Sequence, residues 1–479
     1  MLLLRCLVLW LALSTWAQAE NKRLFLLHTN DIHGYIESYE EGGLERIASL
    51  VSRFRELYPD EVVLLDGGDT SLGTPLSGTF HGKPTAELMA SMSYDAVALG
   101  NHEFNWGKDK MRALTQAMKA PILCANLVTE DGGRQPYPGF TVITRNGVKL
   151  GIIGLVTPDT PRRAPVESTK GWKFLNPAQA ARVALAGMPT DLDAVISLNH
   201  LGVEADRNLA SQVSAIDLIV GGHSHTALHK ARYQGRTPIL QAGCYGRFLG
   251  VAELRIDTDK NTLTLVGYRL IPATIAEPDP EAHKIVERYA AELRPLLNRR
   301  VATVSEKLDR HAPKNSYDTP LGNFITDVFR HQASTDIALY NRGGARFSME
   351  PGALTVAKVF ELFPFDDPVN VLEATGEQLI GIVEQGTVDG EGPLSASGLT
   401  AVIRDGKVTQ VRVGGRPIDS KRVYTVATTR FLSDGGDGMA TLASLKRVRT
   451  LPFTRDVLLS YLKTHSDIRS PGAGRLTIK

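Results

Sequence analysis

The sequence predicts an α/β layered domain over residues 20–272, a linking helix over residues 273–300 and a second domain over residues 301–479. Three observations predict this. Short apolar runs alternate with stretches of helical periodicity through the first segment. Five of those runs end in metal-binding residue types, as strand ends do when a site gathers at the carboxyl edge of a sheet. The stretch IPATIAEPDPEAHK, with three prolines, then interrupts the alternation, because proline continues neither a strand nor a helix interior.

The elements follow in order. LFLLHTNDIHG is a strand ending in Asp31 and His33. GGLERIASLVSRFREL places Ile47, Leu50, Val51 and Phe54 at helical spacing. VVLLDGGD, with Val62 to Leu65 as its buried run, ends in Asp69. AVALGNHE ends in Asn101 and His102. WGKDKMRALTQAMK then sets Met111, Leu114 and Met118 on one helix face, and Pro121 opens the next strand. AVISLNH brings His200, and LIVGGHSH brings His223 and His225, alternate residues that share a face of an extended chain. Beyond the proline stretch, Pro278 to Arg299 reads as a helix broken near Pro295.

Each ligand-type residue has a bland reading alone. A strand-end aspartate is more often a helix cap or turn former than a ligand. Five such endings in one chain leave that reading little room. Mixed Asp, His and Asn donors suit divalent transition metals, and a carboxylate between two such groups can bridge two ions. The pattern predicts a two-metal hydrolase. Gly67, Gly68, Gly100, Gly221 and Gly222 would let backbone approach a bound ion or phosphate.

Composition narrows the class. Hydrophobic content of 43% and charged content of 22% describe an ordinary globular protein. The net charge of +2 lacks the basic footprint of a nucleic-acid binder. Residues 1–19 read as a signal peptide: Arg5, the apolar run Leu7 to Leu13, and the cleavage site Ala17-Gln18-Ala19. The expected location is periplasmic or secreted, with no stable membrane anchor and no obligate protein partner. Cys124 and Cys244 remain in the mature chain. They read as buried free thiols, with a single bridge as the alternative.

The motifs HTNDIHG, DGGD, GNHEFNWG, NH and GGHSH, in this order, resemble those of the calcineurin-like metallophosphoesterases. More narrowly, the chain is similar to the periplasmic 5'-nucleotidases, UDP-sugar hydrolases and 2',3'-cyclic-nucleotide phosphodiesterases. The resemblance implies a four-layer α/β/β/α sandwich followed by a smaller α/β 5'-nucleotidase C-terminal domain. It implies two divalent ions, zinc, manganese or cobalt. Asp31, His33 and His225 would hold one; Asn101, His200 and His223 the other; Asp69 would bridge them. His102 would stabilise the transition state or protonate the leaving oxygen. An Asp three residues on usually orients that histidine; here the position is Asn105, as in the cyclic-nucleotide enzymes.

The second domain carries a further likeness. NRGGARF matches the family's NGGGIR, with Asn341 and Arg346 in place and Arg342 replacing a glycine. FPFDDPV matches LPFGN, with Asp366 replacing a glycine, and TTRFLSDGGDG matches an aromatic-plus-GGDG segment. The resemblance implies that Phe365 and Phe431 sandwich a base and that Asp437 lies at the ribose. The family's arginine before LGN has two counterparts here, Arg310 and Lys314, without clear register. The expected substrate is a small nucleotide. A cyclic-nucleotide phosphodiesterase, a thiosulfohydrolase and a non-catalytic nucleotide-binding protein are the alternatives.

Overall fold

A computed structural model describes residues 21–365, 367–387 and 394–479. The expected signal peptide and Asp366 lie outside the described residues. Two six-stranded sheets pack face to face in the first domain. One runs in the order Thr262–Pro272, Phe248–Asp257, Asn21–Thr29, Val62–Asp66, Ala96–Ala98, Ile122–Leu123. The other runs Arg232–Gln234, Thr237–Leu240, Leu218–Val220, Ala194–His200, Val148–Val156, Phe140–Arg145.

Strand periodicity explains the layering, because alternate side chains point to opposite faces. Leu24, Leu26, Val63 and Leu65 meet Ile152, Ile196, Leu198 and Val220 between the sheets. Phe25, Leu27 and Leu64 instead face Ile47, Val51 and Met89 on the covering helices. Ile153, Leu155 and Ile219 face Ala181 and Leu209 on the far side. Both faces of the central strands are buried, which is why they read as continuous apolar runs. The result is the expected α/β/β/α sandwich.

The strands Asn21–Thr29, Val62–Asp66 and Ala96–Ala98 run parallel, as do Ala194–His200 and Leu218–Val220. Their carboxyl ends therefore share an edge, and the ligand-type residues follow there. His200 is the last residue of its strand; the others stand in the loops just beyond.

Helix Pro280–Leu297 corrects the expected break at Pro295. The helix continues through Pro295 and is closed by the Asn298 N–H on the carbonyls of Arg294 and Leu296. Proline in the last turn forfeits a single ladder bond, which the packed face of the helix outweighs. Pro280 opens the helix at its first turn, where a missing N–H costs nothing. Ala282, Val286, Tyr289 and Ala290 are buried in the same core as Ile47 and Met89. The linking helix is thus docked on the first domain.

The second domain is built on a five-stranded sheet, Leu394–Ser397, Ile337–Asn341, Val423–Thr429, Pro368–Thr375, Lys446–Phe453. Ala338 and Tyr340 face helix Pro320–Ala333, while Ile337 and Leu339 face helix Gly376–Thr387. Cys124 and Cys244 are both buried free thiols.

Candidate dinuclear metal centre

The loops after the strand ends bring two groups of donors together. The ligand atoms of Asp31, His33 and His225 all lie within 4.8 Å of one another, as do those of Asp69, His200 and His223. Asp69 Oδ2 stands 3.0 Å from His200 Nε2 and 3.8 Å from His33 Nε2, between the groups. Asp31 Oδ1 lies 3.3 Å from His225 Nε2.

Backbone and amide donors anchor each carboxylate, and Asp69 Oδ2 and Asp31 Oδ1 face the imidazoles, the latter also taking a longer 3.2 Å bond from the His223 N–H. The His102 backbone N–H donates to Asp69 Oδ1 at 2.8 Å. Asn30 Nδ2 and the His223 backbone N–H donate to Asp31 Oδ2 at 2.7 and 2.9 Å. The imidazoles are oriented in the same way. His33 Nδ1 meets the Leu72 carbonyl and His200 Nδ1 the Gly67 carbonyl, both at 2.7 Å. Such outer contacts leave Nε2 free to bind and orient the ring.

The backbone at the site is strained. Asp31, His33, Asp69, His223 and His225 all have positive φ, between 51° and 75°. Non-glycine residues adopt that region only where surroundings enforce it. Glu103 supplies part of the enforcement. Its carboxylate accepts from the backbone N–H groups of Asp69, Thr70 and Gly100 at 2.7–3.0 Å, tying two ligand loops together. Sequence reasoning missed Glu103, although it stands inside the GNHEF motif.

Gly100 and Gly222 also stand where the ligand loops meet. A Cβ on Gly100 would stand 2.2 Å from Asp69 Oδ1, and one on Gly222 would stand 2.7 Å from the Gly67 carbonyl and 3.0 Å from His200 Nδ1. They let the ligand loops approach each other, which admits no side chain.

Electrostatics fits a cation pair. Burial pushes the Asp31 and Asp69 carboxyls up, but His225 beside the first and His200 beside the second overcome it and hold both below the usual range. Burial, followed by the charge of His200, lowers His223 to about 3. Against burial, Asp69 raises His200 to about 10 and Asp31 holds His225 well above the usual imidazole range, so these two rings carry protons that a bound cation displaces. Asn101 Oδ1 is buried and has no hydrogen-bond partner among the described residues. It lines, with Asp69, a cavity over the donor groups. A buried acceptor without a donor calls for a cation or an ordered water. The donor set and this orphaned oxygen fit a divalent metal pair.

That cavity, of about 440 Å³, is lined from both domains. Asp69, Asn101, His102, Asn105, His223 and His225 form its floor. His102 Nδ1 meets Asn105 Oδ1 at 3.0 Å. Asn341, Arg346, Phe365, Phe431 and Asp437 face it from the second domain. Phe365 reaches across to the His102 ring, with centroids 5.6 Å apart. Asn341 Nδ2 donates to Asp437 Oδ2 at 2.6 Å. Gly436 lies against one face of the Phe431 ring, since a Cβ there would stand 2.5–2.6 Å from three ring carbons. Arg310 is in the cavity wall, whereas Lys314 is exposed and does not line it. Arg310 Nη1 donates to the Arg346 carbonyl at 2.6 Å.

Residues 26–227 match the calcineurin-like phosphoesterase family, and residues 300–444 match the 5'-nucleotidase C-terminal domain. The first domain is thus a calcineurin-like phosphoesterase domain and the second a 5'-nucleotidase C-terminal domain. The chain is a metal-dependent phosphoric ester hydrolase by family. A 5'-nucleotidase of Vibrio cholerae is 27% identical to this phosphoesterase, over 95% of this chain and 92% of its own. Protein UshA of Yersinia enterocolitica is also 27% identical, over 95% and 93%. Among solved structures, a 5'-nucleotidase precursor from Thermus thermophilus superposes with a TM-score of 0.84 at 28% identity, covering 95% of this phosphoesterase and 99% of that chain. A sulfate thiohydrolase, SoxB, of Thermus thermophilus shares the fold, with a TM-score of 0.80 at 17% identity.

Proposed function

We propose that this phosphoesterase hydrolyses nucleoside 5'-monophosphates to nucleoside and phosphate. One observation carries the reading: the donor cluster and the aromatic wall of the second domain line a single cavity of about 440 Å³. A phosphoryl group over Asp69 and His102 would leave its nucleoside between Phe365 and Phe431. Stacking there is strong and tolerates any base.

Asp31, His33 and His225 would hold one divalent cation and Asn101, His200 and His223 the other, with Asp69 shared. Zinc, manganese and cobalt all suit these donors. Bound there, the cations supply Lewis-acid stabilisation of the phosphoryl oxygens and lower the pKa of a water. His102 would place its Nε2 at the developing charge or give a proton to the leaving oxygen, with Asn105 holding the ring through Nδ1. Arg346 and Arg310 would face the phosphoryl oxygens from the second domain. Asn341 and Asp437, paired with each other, would meet the ribose.

The second reading is 2',3'-cyclic-nucleotide phosphodiesterase activity, carried by Asn105 in place of a carboxylate. The likeness to the sulfate thiohydrolase is one of fold alone. Export to the periplasm or medium is part of the proposal and rests on the leader pattern. No helix among the described residues is long and apolar enough to cross a membrane.

A substrate panel tests the reading: AMP, UMP, UDP-glucose, 2',3'-cyclic AMP and a thiosulfate conjugate, each with Mn²⁺, Co²⁺ or Zn²⁺. AMP or UMP should give the highest kcat/KM. Preference for the cyclic ester or the thiosulfate conjugate would replace the reading.

A further inference from the structure

Tyr245 has φ 62°, a region in which a bulky side chain is strained. Two hydrogen bonds hold it there. Its N–H donates to the Asp31 carbonyl at 2.8 Å, and its own carbonyl accepts from the Tyr39 hydroxyl at 2.8 Å. The ring is thereby packed edge-on against His33 and His225, with centroids 5.6 and 5.5 Å away. Both imidazoles belong to one donor group. Tyr35 covers the Tyr245 ring at 4.6 Å.

This packing accounts for an aromatic residue, but phenylalanine would provide it. The hydroxyl needs its own explanation. Tyr245 lines the cavity, and so does Arg310 from the second domain. Arg310 Nε is buried and has no hydrogen-bond partner among the described residues. A hydroxyl donor from one domain and a cationic donor from the other thus line one cavity. An anionic oxygen between them satisfies both.

We propose that the Tyr245 hydroxyl donates a hydrogen bond to a non-bridging phosphoryl oxygen that Arg310 also faces, a contact made only with the two domains together. The proposal rests on the phosphoesterase reading above. It makes Tyr245 a catalytic residue supplied by the strained loop after the Thr237–Leu240 strand.

Tyr245→Phe tests it, because the variant keeps the ring, its packing and the backbone conformation. The expected result is a loss in kcat/KM of about 10-fold or more, the worth of one hydrogen bond to a charged group. The loss should be the same for AMP and for p-nitrophenyl phosphate, which share only the phosphoryl group. Metal content and melting temperature should match wild type. Unchanged kinetics beside an active wild type overturns this proposal alone. A loss confined to AMP also overturns it, by moving Tyr245 to the nucleoside. Loss of metal from Tyr245→Phe overturns it too, by reducing the residue to a support for His33 and His225. A wild type inert toward both esters overturns the phosphoesterase reading and this proposal together.

Discussion

Asp69 divides its two oxygens between tasks: Oδ1 takes the His102 N–H, and Oδ2 stands between the two imidazole groups. Asn at this position keeps one oxygen but gives up the charge that balances two cations. Asp69→Asn should lower kcat by on the order of 10³-fold or more, with metal content below two per chain. Metal analysis beside steady-state kinetics checks this; near-normal turnover with both metals present would remove Asp69 from the bridging position. Asn105 acts through another residue, by holding His102 Nδ1. Asn105→Ala should lower kcat by about 10-fold, while KM and metal content stay put. Asn105→Asp, which restores an acceptor, should recover activity. An unchanged Asn105→Ala would mean that the ring holds its place without the amide.

At the scale of the element, helix Arg430–Ser433 and the Gly436–Gly438 turn fix Phe431 in the cavity wall with one face on Gly436. The Phe431 N–H donates to Asp367 Oδ1 at 3.1 Å. If the free face stacks on a base, Phe431→Ala should cost about 1–3 kcal/mol in kcat/KM for AMP and leave p-nitrophenyl phosphate hydrolysis nearly unchanged. Equal losses would mark the ring as core alone. A second element depends on Asp318, at the start of helix Pro320–Ala333. Its buried carboxylate accepts from the backbone N–H groups of Gly474, Arg475 and Leu476 at 2.8–3.1 Å and from Ser316 and Asn323, so it ties the chain's last strand to the second domain. Burial pushes this carboxyl up, but the hydrogen bond from Ser316 and those from the strand outweigh it, and it titrates below the usual range. A folded-state pKa below the unfolded one adds stability that is fully present above the unfolded pKa, about 3.9, and lost as pH falls through the folded value. Asp318→Asn should therefore lower the melting temperature most at neutral pH and converge on wild type in strong acid. A constant difference across pH would deny the carboxylate this role.

At the scale of the whole molecule, every expected metal ligand comes from the first domain, whereas the aromatic wall comes from the second. The helix Pro280–Leu297 belongs to the first core, so the turn into strand Arg300–Val304 is where the domains join. Two calorimetric transitions should follow. Chelation with EDTA should abolish activity and lower the first-domain transition, because bound cations stabilise only the state that holds them. The second-domain transition should stay in place. A common downward shift would show that the two domains unfold as one unit.

The alternation of strands and helices and the row of donor residues were legible because both follow from local rules, whereas the four layers and the division of the donors between two ions were legible only through likeness to a family. Strands buried on both faces read as continuous apolar runs, and metal ligands at the carboxyl edge of a sheet come just after such runs, as Asp69 and His200 do. Phe365 and Arg346 were legible only through likeness to a family. Other features required three dimensions. Helical periodicity shows that residues near Val286 have an apolar face, but it cannot say which domain's core covers that face. Glu103 reads as a surface residue until two ligand loops close on its carboxylate. Arg310 and Tyr245 belong to different domains, and nothing in either segment carries information about the other. The sequence by itself determined the alternation of strands and helices and the donor residues, because periodicity and spacing are properties of neighbours along the chain. The tertiary structure alone decided how the second domain meets the cluster, because that contact depends on how two separately packed cores are joined.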